Sequence, residues 1–180
     1  MDMAVHPGTA SVICTTARLR LRTAVPSDHA FYHALVNDPL FVEHIGDRGI
    51  RTLADAERAL VDGTIAMQRE RGHSLYVVER KDDGVPVGMC GLIRRDSLPD
   101  VDIGYAFLPV GRGLGYGLEA ARAVLAHAPA VGVTRLLAIA APTNYASNLL
   151  LQRLGMRFER FVRLPPDNRG SNLYSIELGP

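Results

Sequence analysis

Apolar and polar positions alternate through Leu19-Arg20-Leu21-Arg22, the period of a strand with one face buried. The period then lengthens. Pro26-Ser27-Asp28 supplies a helix cap, and Phe31, Ala34 and Leu35 follow on one helical face. Asp38-Pro39 ends that helix, because a residue before proline avoids helical angles. After a mixed segment at 41–51, Thr52 and Asp55 form a capping pair for a second helix. Leu53, Ala56, Leu60 and Met67 share its face, and Gly72 closes it. The runs 74–80 and 85–93 are β-rich and are joined by Asp83-Gly84, a strong hairpin signal. The run 101–108 extends them into an antiparallel meander. Leu118, Ala121, Leu125 and Ala128 recur at helical spacing. The continuous apolar run 135–141, between Gly132 and Pro142, reads as a buried strand parallel to 101–108, reached by a right-handed crossover. A short helix at 144–154 ends at Gly155, and 158–164 pairs with 173–178 as a last hairpin. The pattern specifies one mixed α/β (α+β) domain over 16–180, with a mostly antiparallel central sheet and about four flanking helices. Residues 1–15 show no clear period and read as a tail.

Composition narrows the classes. A length of 180 residues suits one domain with a proper core. A net charge of +1 gives no electrostatic case for nucleic acid or an anionic membrane. No apolar stretch approaches the ~20 residues of a membrane span, and the start lacks the pattern of a signal peptide. Cys14 and Cys90 make no disulfide framework and no metal site, and His33, His44, His73 and His127 stand at no metal-ligand spacing. A cytoplasmic, metal-free enzyme or binding domain is the expectation.

The chemistry concentrates where the strand 101–108 meets the next helix. Pro109 stops the strand, and glycines stand at 111, 113, 115 and 117. Strand, glycine-rich loop and helix leave backbone N–H groups free at a helix N-terminus, where the dipole favours negative charge. Such a loop suits a phosphate or pyrophosphate; a plain connector is the other use of these glycines. The dinucleotide fingerprint G-x-G-x-x-G fails in register, since its third glycine would be Tyr116 or Leu118. The P-loop fails too, for no Gly-Lys-Ser/Thr follows. What remains is Arg112-x-x-Gly115-x-Gly117.

That pattern resembles Arg/Gln-x-x-Gly-x-Gly/Ala, the acyl-CoA pyrophosphate loop of the GNAT superfamily of N-acetyltransferases. Gly115-Tyr116-Gly117-Leu118-Glu119-Ala120 is similar to the Gly-Tyr-Ala-Thr-Glu-Ala of its ribosomal-protein N-acetyltransferase (Rim-type) branch. Asn144-x-x-Ser147 with Leu154-Gly155-Met156 resembles that branch's Asn-x-x-Ser…Leu-Gly-Phe, and 16–22 resembles its opening strand. The resemblance covers 16–178 and implies a GNAT-like fold with acetyl-CoA as co-substrate and no metal. It implies direct acetyl transfer to a primary amine, on a protein N-terminus or a small molecule. A non-catalytic acyl-CoA-binding regulatory domain of the same fold is the alternative, and a nucleotide-binding loop protein a third. A homodimer rests on the resemblance alone; no nucleic acid or membrane partner is expected.

The resemblance also assigns residues. Backbone amides of Gly113, Gly115, Gly117 and Leu118 take the pyrophosphate, and Arg112 adds charge or is a solvated loop arginine. Ala106, Phe107 and Leu108 offer the strand edge along which pantetheine pairs, a form of β-augmentation. Asn144 contacts the same arm or simply caps its helix. Asp102, on the strand face with Asp100 and Gly104, is the candidate base, since partial burial raises a carboxyl pKa; a solvated strand-start aspartate is the other reading. Glu119 is a weaker candidate. Many GNAT enzymes carry an acid tyrosine seven residues after the asparagine, where this chain has Leu151. Ser147 is the branch's substitute, or a helix serine bonded to the preceding turn; Tyr145 and Tyr174 are not placed by spacing. The first two helices and their connection wall the acceptor site in the family. That makes Glu43, His44, Asp47, Arg48 and Arg51 candidate contacts, or else a solvated charged loop.

Overall fold

In the computed structural model, which describes residues 8–179, strand β1 (Val12–Thr15) pairs antiparallel with β2 (Leu19–Arg22). The tail expected at 1–15 is therefore corrected at its end: 12–15 are sheet, and 1–7 lie outside the described residues. Periodicity missed β1 because its two half-buried residues, Ile13 and Cys14, are adjacent rather than alternating. In β2, Leu19 and Leu21 are fully buried, each contributing roughly 1.5–3 kcal/mol. Arg20 and Arg22 are held in ion pairs, Arg22 largely buried and Arg20 still partly exposed. Both donate to Glu79, at 3.0 and 2.6 Å, and Arg22 also grips both oxygens of Asp28.

Helix α1 (His29–Val36) buries Leu35 and Val36; Ala34, expected inside, is exposed. Asp38 does more than end α1. Its carboxylate accepts from the N–H groups of Leu40 and Phe41 and so starts a further helix, α2 (Pro39–His44), inside the segment read as mixed. Pro39 fits its first turn, where a missing N–H costs nothing. The Thr52–Asp55 capping box forms as expected and opens α3 (Leu53–Ala59). A π-helical turn, Leu60–Ile65, leads into α4 (Ala66–Arg71), which Gly72 closes in a left-handed conformation. Leu53 is half exposed, so Ala56 and Leu60 carry the buried face.

The meander follows as β3 (Leu75–Arg80), β4 (Pro86–Ile93) and β5 (Asp102–Phe107). Then come α5 (Tyr116–His127), β6 (Arg135–Ala140), α6 (Tyr145–Arg153), β7 (Arg157–Leu164) and β8 (Arg169–Glu177). The eight strands lie in the order β1-β2-β3-β4-β5-β6-β8-β7, antiparallel except at β5–β6. Ala121 and Val124 of α5 and Leu151 of α6 pack on one face against Leu21, Val78, Cys90, Ile103 and Leu136. Leu35 and Leu60 pack on the other against Val77 and Met89.

The parallel junction is incomplete. β4 and β5 pair at six positions, from Gly88↔Phe107 to Ile93↔Asp102. β5 and β6 pair only at Asp102↔Leu137, with the Leu137 N–H donating to the Val101 carbonyl at 2.9 Å. Beyond Asp102 the strands part, and the β6-side edge of 103–107 carries no strand.

Candidate functional site

The glycine loop leaves β5 through a 3-10 turn, Pro109–Gly111. A Cβ at Gly111 would lie 2.9 Å from the Val87 carbonyl, so this glycine seats the loop on β4. Gly113 and Gly115 take left-handed angles, φ 72° and 79°, which side chains rarely adopt. Gly115 caps α5 without a side chain, and the next backbone bond is from the Glu119 N–H to the Gly115 carbonyl at 3.1 Å. Among the described residues, no protein acceptor meets the N–H groups of 113–118. They form a row of free donors at the positive end of the α5 dipole. Gly117 serves differently: a Cβ there would lie 3.1 Å from Leu150 Cδ1, so it lets α5 approach α6.

Two arginines brace this loop. Arg18 donates from Nη1 to the Leu114 carbonyl at 2.9 Å and from Nε to Glu119 at 2.7 Å, and its guanidinium lies 4.6 Å over the Tyr116 ring. Thr16 donates to Glu119 at 2.6 Å. Glu119 is thereby occupied in fastening the start of β2 to α5. Burial works to raise its pKa, but the bonds from Thr16 and Arg18 outweigh it and hold the carboxyl below its usual range. Arg18 is half exposed, so the pair orients the loop more than it stabilises the fold. Arg112 turns to Asp38, the buried cap of α2, and pairs with it. Its side chain is one-third exposed and turned to α2 instead of the amide row. A solvent-open hollow of about 510 Å³ lies beside the loop, with Arg18 and Arg122 on its wall.

The open edge of β5 continues the site. Phe107 is half-buried there, whereas Ala106, also expected on that edge, turns its carbonyl to β4. Leu108, expected to share that edge, has its backbone committed: its N–H donates to Val87 and its carbonyl accepts from Gly111. Across the gap stands the start of α6. Asn144 caps it by accepting from the Ser147 N–H at 3.1 Å. The Ser147 hydroxyl meets the Tyr105 hydroxyl of β5 at 2.6 Å. Asn148 donates to the carbonyls of Ala141 and Asn144, and accepts from Tyr174 at 2.7 Å and Asn172 at 2.9 Å. Polar bonds therefore tie α6 to β5 on one side and to β8 on the other. Leu151 is buried core, and Tyr145 is 80% exposed. Tyr105, Asn148 and Asp38 were not singled out by spacing, because their partners lie far along the chain.

Asp102 does not meet Ser147. Alternation along β5 sends it to the face opposite Tyr105. It is fully buried, and Arg95 Nε donates to both its oxygens at 3.0 Å. Burial raises its pKa to about 6 against the pull of Arg95. In the segment expected to meet an acceptor, Arg51 donates to both oxygens of Asp47, which lowers that carboxyl to about 2. Arg48 lies over the Phe41 ring, and Arg169 of β8 donates to the Glu43 carbonyl at 2.8 Å. Among the described residues, no three His, Cys, Asp or Glu side chains gather as metal ligands, and no helix is long and apolar enough to cross a membrane.

Comparison with known proteins gives the same frame. A family model described as an acetyltransferase (GNAT) domain matches residues 18–157. The uncharacterized protein YkkB of Bacillus subtilis is 29% identical over 152 residues, 82% of this chain and 87% of that one. The solved ribosomal L7/L12 α-N-protein acetyltransferase RimL is 18% identical, with a TM-score of 0.80 over 99% of both chains. The microcin C7 self-immunity acetyltransferase MccE, solved with acetyl-CoA and AMP, is 16% identical, with a TM-score of 0.76 over 91% of this chain and 94% of its own. At these identities the solved structures are likenesses of fold.

Proposed function

The chain belongs to the GNAT acetyltransferase family, and we propose that it is an acetyl-CoA-dependent N-acetyltransferase acting on a primary amine in the cytoplasm. The observation that carries the reading is the row of free amides at 113–118 abutting the open edge of β5. The loop fits a diphosphate: it is exposed, a Cβ at Gly113 would meet nothing within 4 Å, and the donors converge at a helix start. In this reading the amides of Gly113, Gly115, Gly117 and Leu118 hold the pyrophosphate, with Arg18 and Arg122 as flanking charges. Arg112 holds the loop against α2 instead. Backbone groups of Phe107 pair with the pantetheine arm, since the Ala106 carbonyl turns to β4, and the Asn144 amide nitrogen faces it from α6. Bound acetyl-CoA supplies the activated acyl group as a thioester. Ser147 donates a hydrogen bond to the departing sulfur. Asp102 takes the amine's proton only if Arg95 moves aside; otherwise that proton goes to solvent. The acceptor is a protein N-terminus or a small-molecule amine; the likeness to RimL, an α-N-protein acetyltransferase, supports the first.

Calorimetry with acetyl-CoA tests the cradle. Native protein should bind at micromolar levels, and Gly115→Asp should weaken binding at least about 100-fold, roughly 2.7 kcal/mol. Release of free CoA in the presence of an N-terminal peptide or a polyamine then separates an enzyme from a regulatory binder. No binding by folded native protein overturns the proposal.

A further inference from the structure

We infer that Tyr105 is the positioning residue for Ser147: it donates to the serine oxygen and so frees the serine's own hydrogen for the cleft. The inference rests on the acetyltransferase reading and deepens it. A helix serine left alone bonds back to a carbonyl of the preceding turn. Ser147 does not. Among the described residues its hydroxyl meets only the Tyr105 hydroxyl, at 2.6 Å, while the Asn144 carbonyl behind it is taken by the Asn148 amide. The alternative acceptor for Tyr105 is the Ser147 carbonyl at 3.4 Å, a much longer contact, so the tyrosine proton belongs on the serine oxygen. Burial pushes the Tyr105 pKa up despite that bond, which keeps the phenol protonated as a permanent donor. The Asn144 side chain fixes the Ser147 backbone from the other side.

Position gives the pair its use. Tyr105 stands three residues past Asp102, the last point where β5 touches β6, so the bond spans the mouth of the gap between strand and helix. The tyrosine that α6 lacks at Leu151 is thus answered from the facing strand, through a serine. Tyr174 cannot stand in, because its hydroxyl donates to Asn148. No proton changes owner at Tyr105. As the carbon–sulfur bond breaks and its electron pair moves to sulfur, Ser147 presents an oriented O–H to that charge.

Tyr105→Phe, Ser147→Ala and the double variant test this by steady-state kinetics and by titrating the thiol of bound CoA through its thiolate absorbance. Tyr105→Phe should lower kcat about 10-fold with the KM for acetyl-CoA nearly unchanged, and the double variant should be no slower than Ser147→Ala. The bound thiol should titrate about one pH unit higher in either single variant, a readout that a purely packing role would not move. Native kcat and an unmoved thiol in Tyr105→Phe overturn the inference, as do additive losses in the double variant. Native protein that binds CoA but turns over no amine overturns the enzyme reading instead, and the thiol titration still decides this one. A second measurement leaves Tyr105 in place: with ring-labelled tyrosine, Ser147→Ala should shift one buried tyrosine resonance, and no shift refutes the bond.

Discussion

Along its β4 edge, strand β5 pairs at six positions; along its β6 edge it pairs at Asp102 alone. The two edges use glycine for opposite ends. On the closed side, a Cβ at Gly88 would lie 2.5 Å from the Ala106 carbonyl, and one at Gly91, on the far edge of β4, would lie 2.1 Å from the Ser74 carbonyl beside β3. Those glycines exist because neighbouring backbone leaves no room. On the open side, a Cβ at Gly113 would meet nothing within 4 Å, and both Gly113 and Gly115 sit at positive φ. These exist to turn the chain and bare its amides. One edge spends its backbone donors on the fold, and the other leaves them free for the ligand proposed above.

Breaking the sheet behind the closed edge, between β3 and β4, should cost stability. Gly91→Ala forces backbone apart and is expected to lower unfolding free energy by about 3 kcal/mol or more in urea titrations, with CoA affinity of the folded fraction unchanged. Gly115→Asp should give the reverse signature, with binding lost and only about 1–2 kcal/mol of left-handed strain added.

The hinge between the edges is Asp102. Its folded pKa of about 6 lies above the usual 3.8, so folding favours the neutral acid. Its contribution is full below about pH 4 and is lost as pH rises through 6, by roughly 3 kcal/mol. Asparagine has no such loss. Relative to Asp102→Asn, native protein should therefore lose stability between pH 4 and 7, measured by urea unfolding at both. If Asp102 is also the base, the variant's kcat falls by orders of magnitude; if it only pins β5 to β6, turnover survives.

The smallest expected effect sharpens the open edge. Arg112→Leu strands the buried Asp38 carboxylate and should cost about 1–2 kcal/mol, less than a wholly buried pair because Arg112 is one-third exposed. Adding Asp38→Asn, which keeps the α2 cap, should restore most of the thermal stability. CoA affinity should change only a few-fold, because the guanidinium serves α2 instead of the phosphates.

Several features were legible because they are local. The Thr52–Asp55 box, the Asp83-Gly84 turn, the Gly72 and Gly155 closures and the strand-loop-helix at 101–128 each declare themselves within a few residues. Helix α2 was hidden because Asp38-Pro39 reads equally as a stop and a start, and both are realised. The site was legible as a loop but not as a set of partners. Arg18 to Leu114, Arg112 to Asp38 and Tyr105 to Ser147 join residues 96, 74 and 42 positions apart.

Sequence by itself determined the order and type of most elements, the placing of the glycine loop at a helix start and the absence of an acid tyrosine at 151. Hydrophobic period and turn chemistry act over one or two turns of chain, and they are written there. Tertiary structure alone decided which edge of β5 stays open, that Asp102 is enclosed by Arg95, that Arg112 faces α2 and that a strand tyrosine holds the α6 serine. A polar side chain takes whichever partner the packed layers bring within about 3 Å, and the partner's place along the chain leaves no mark on the local pattern.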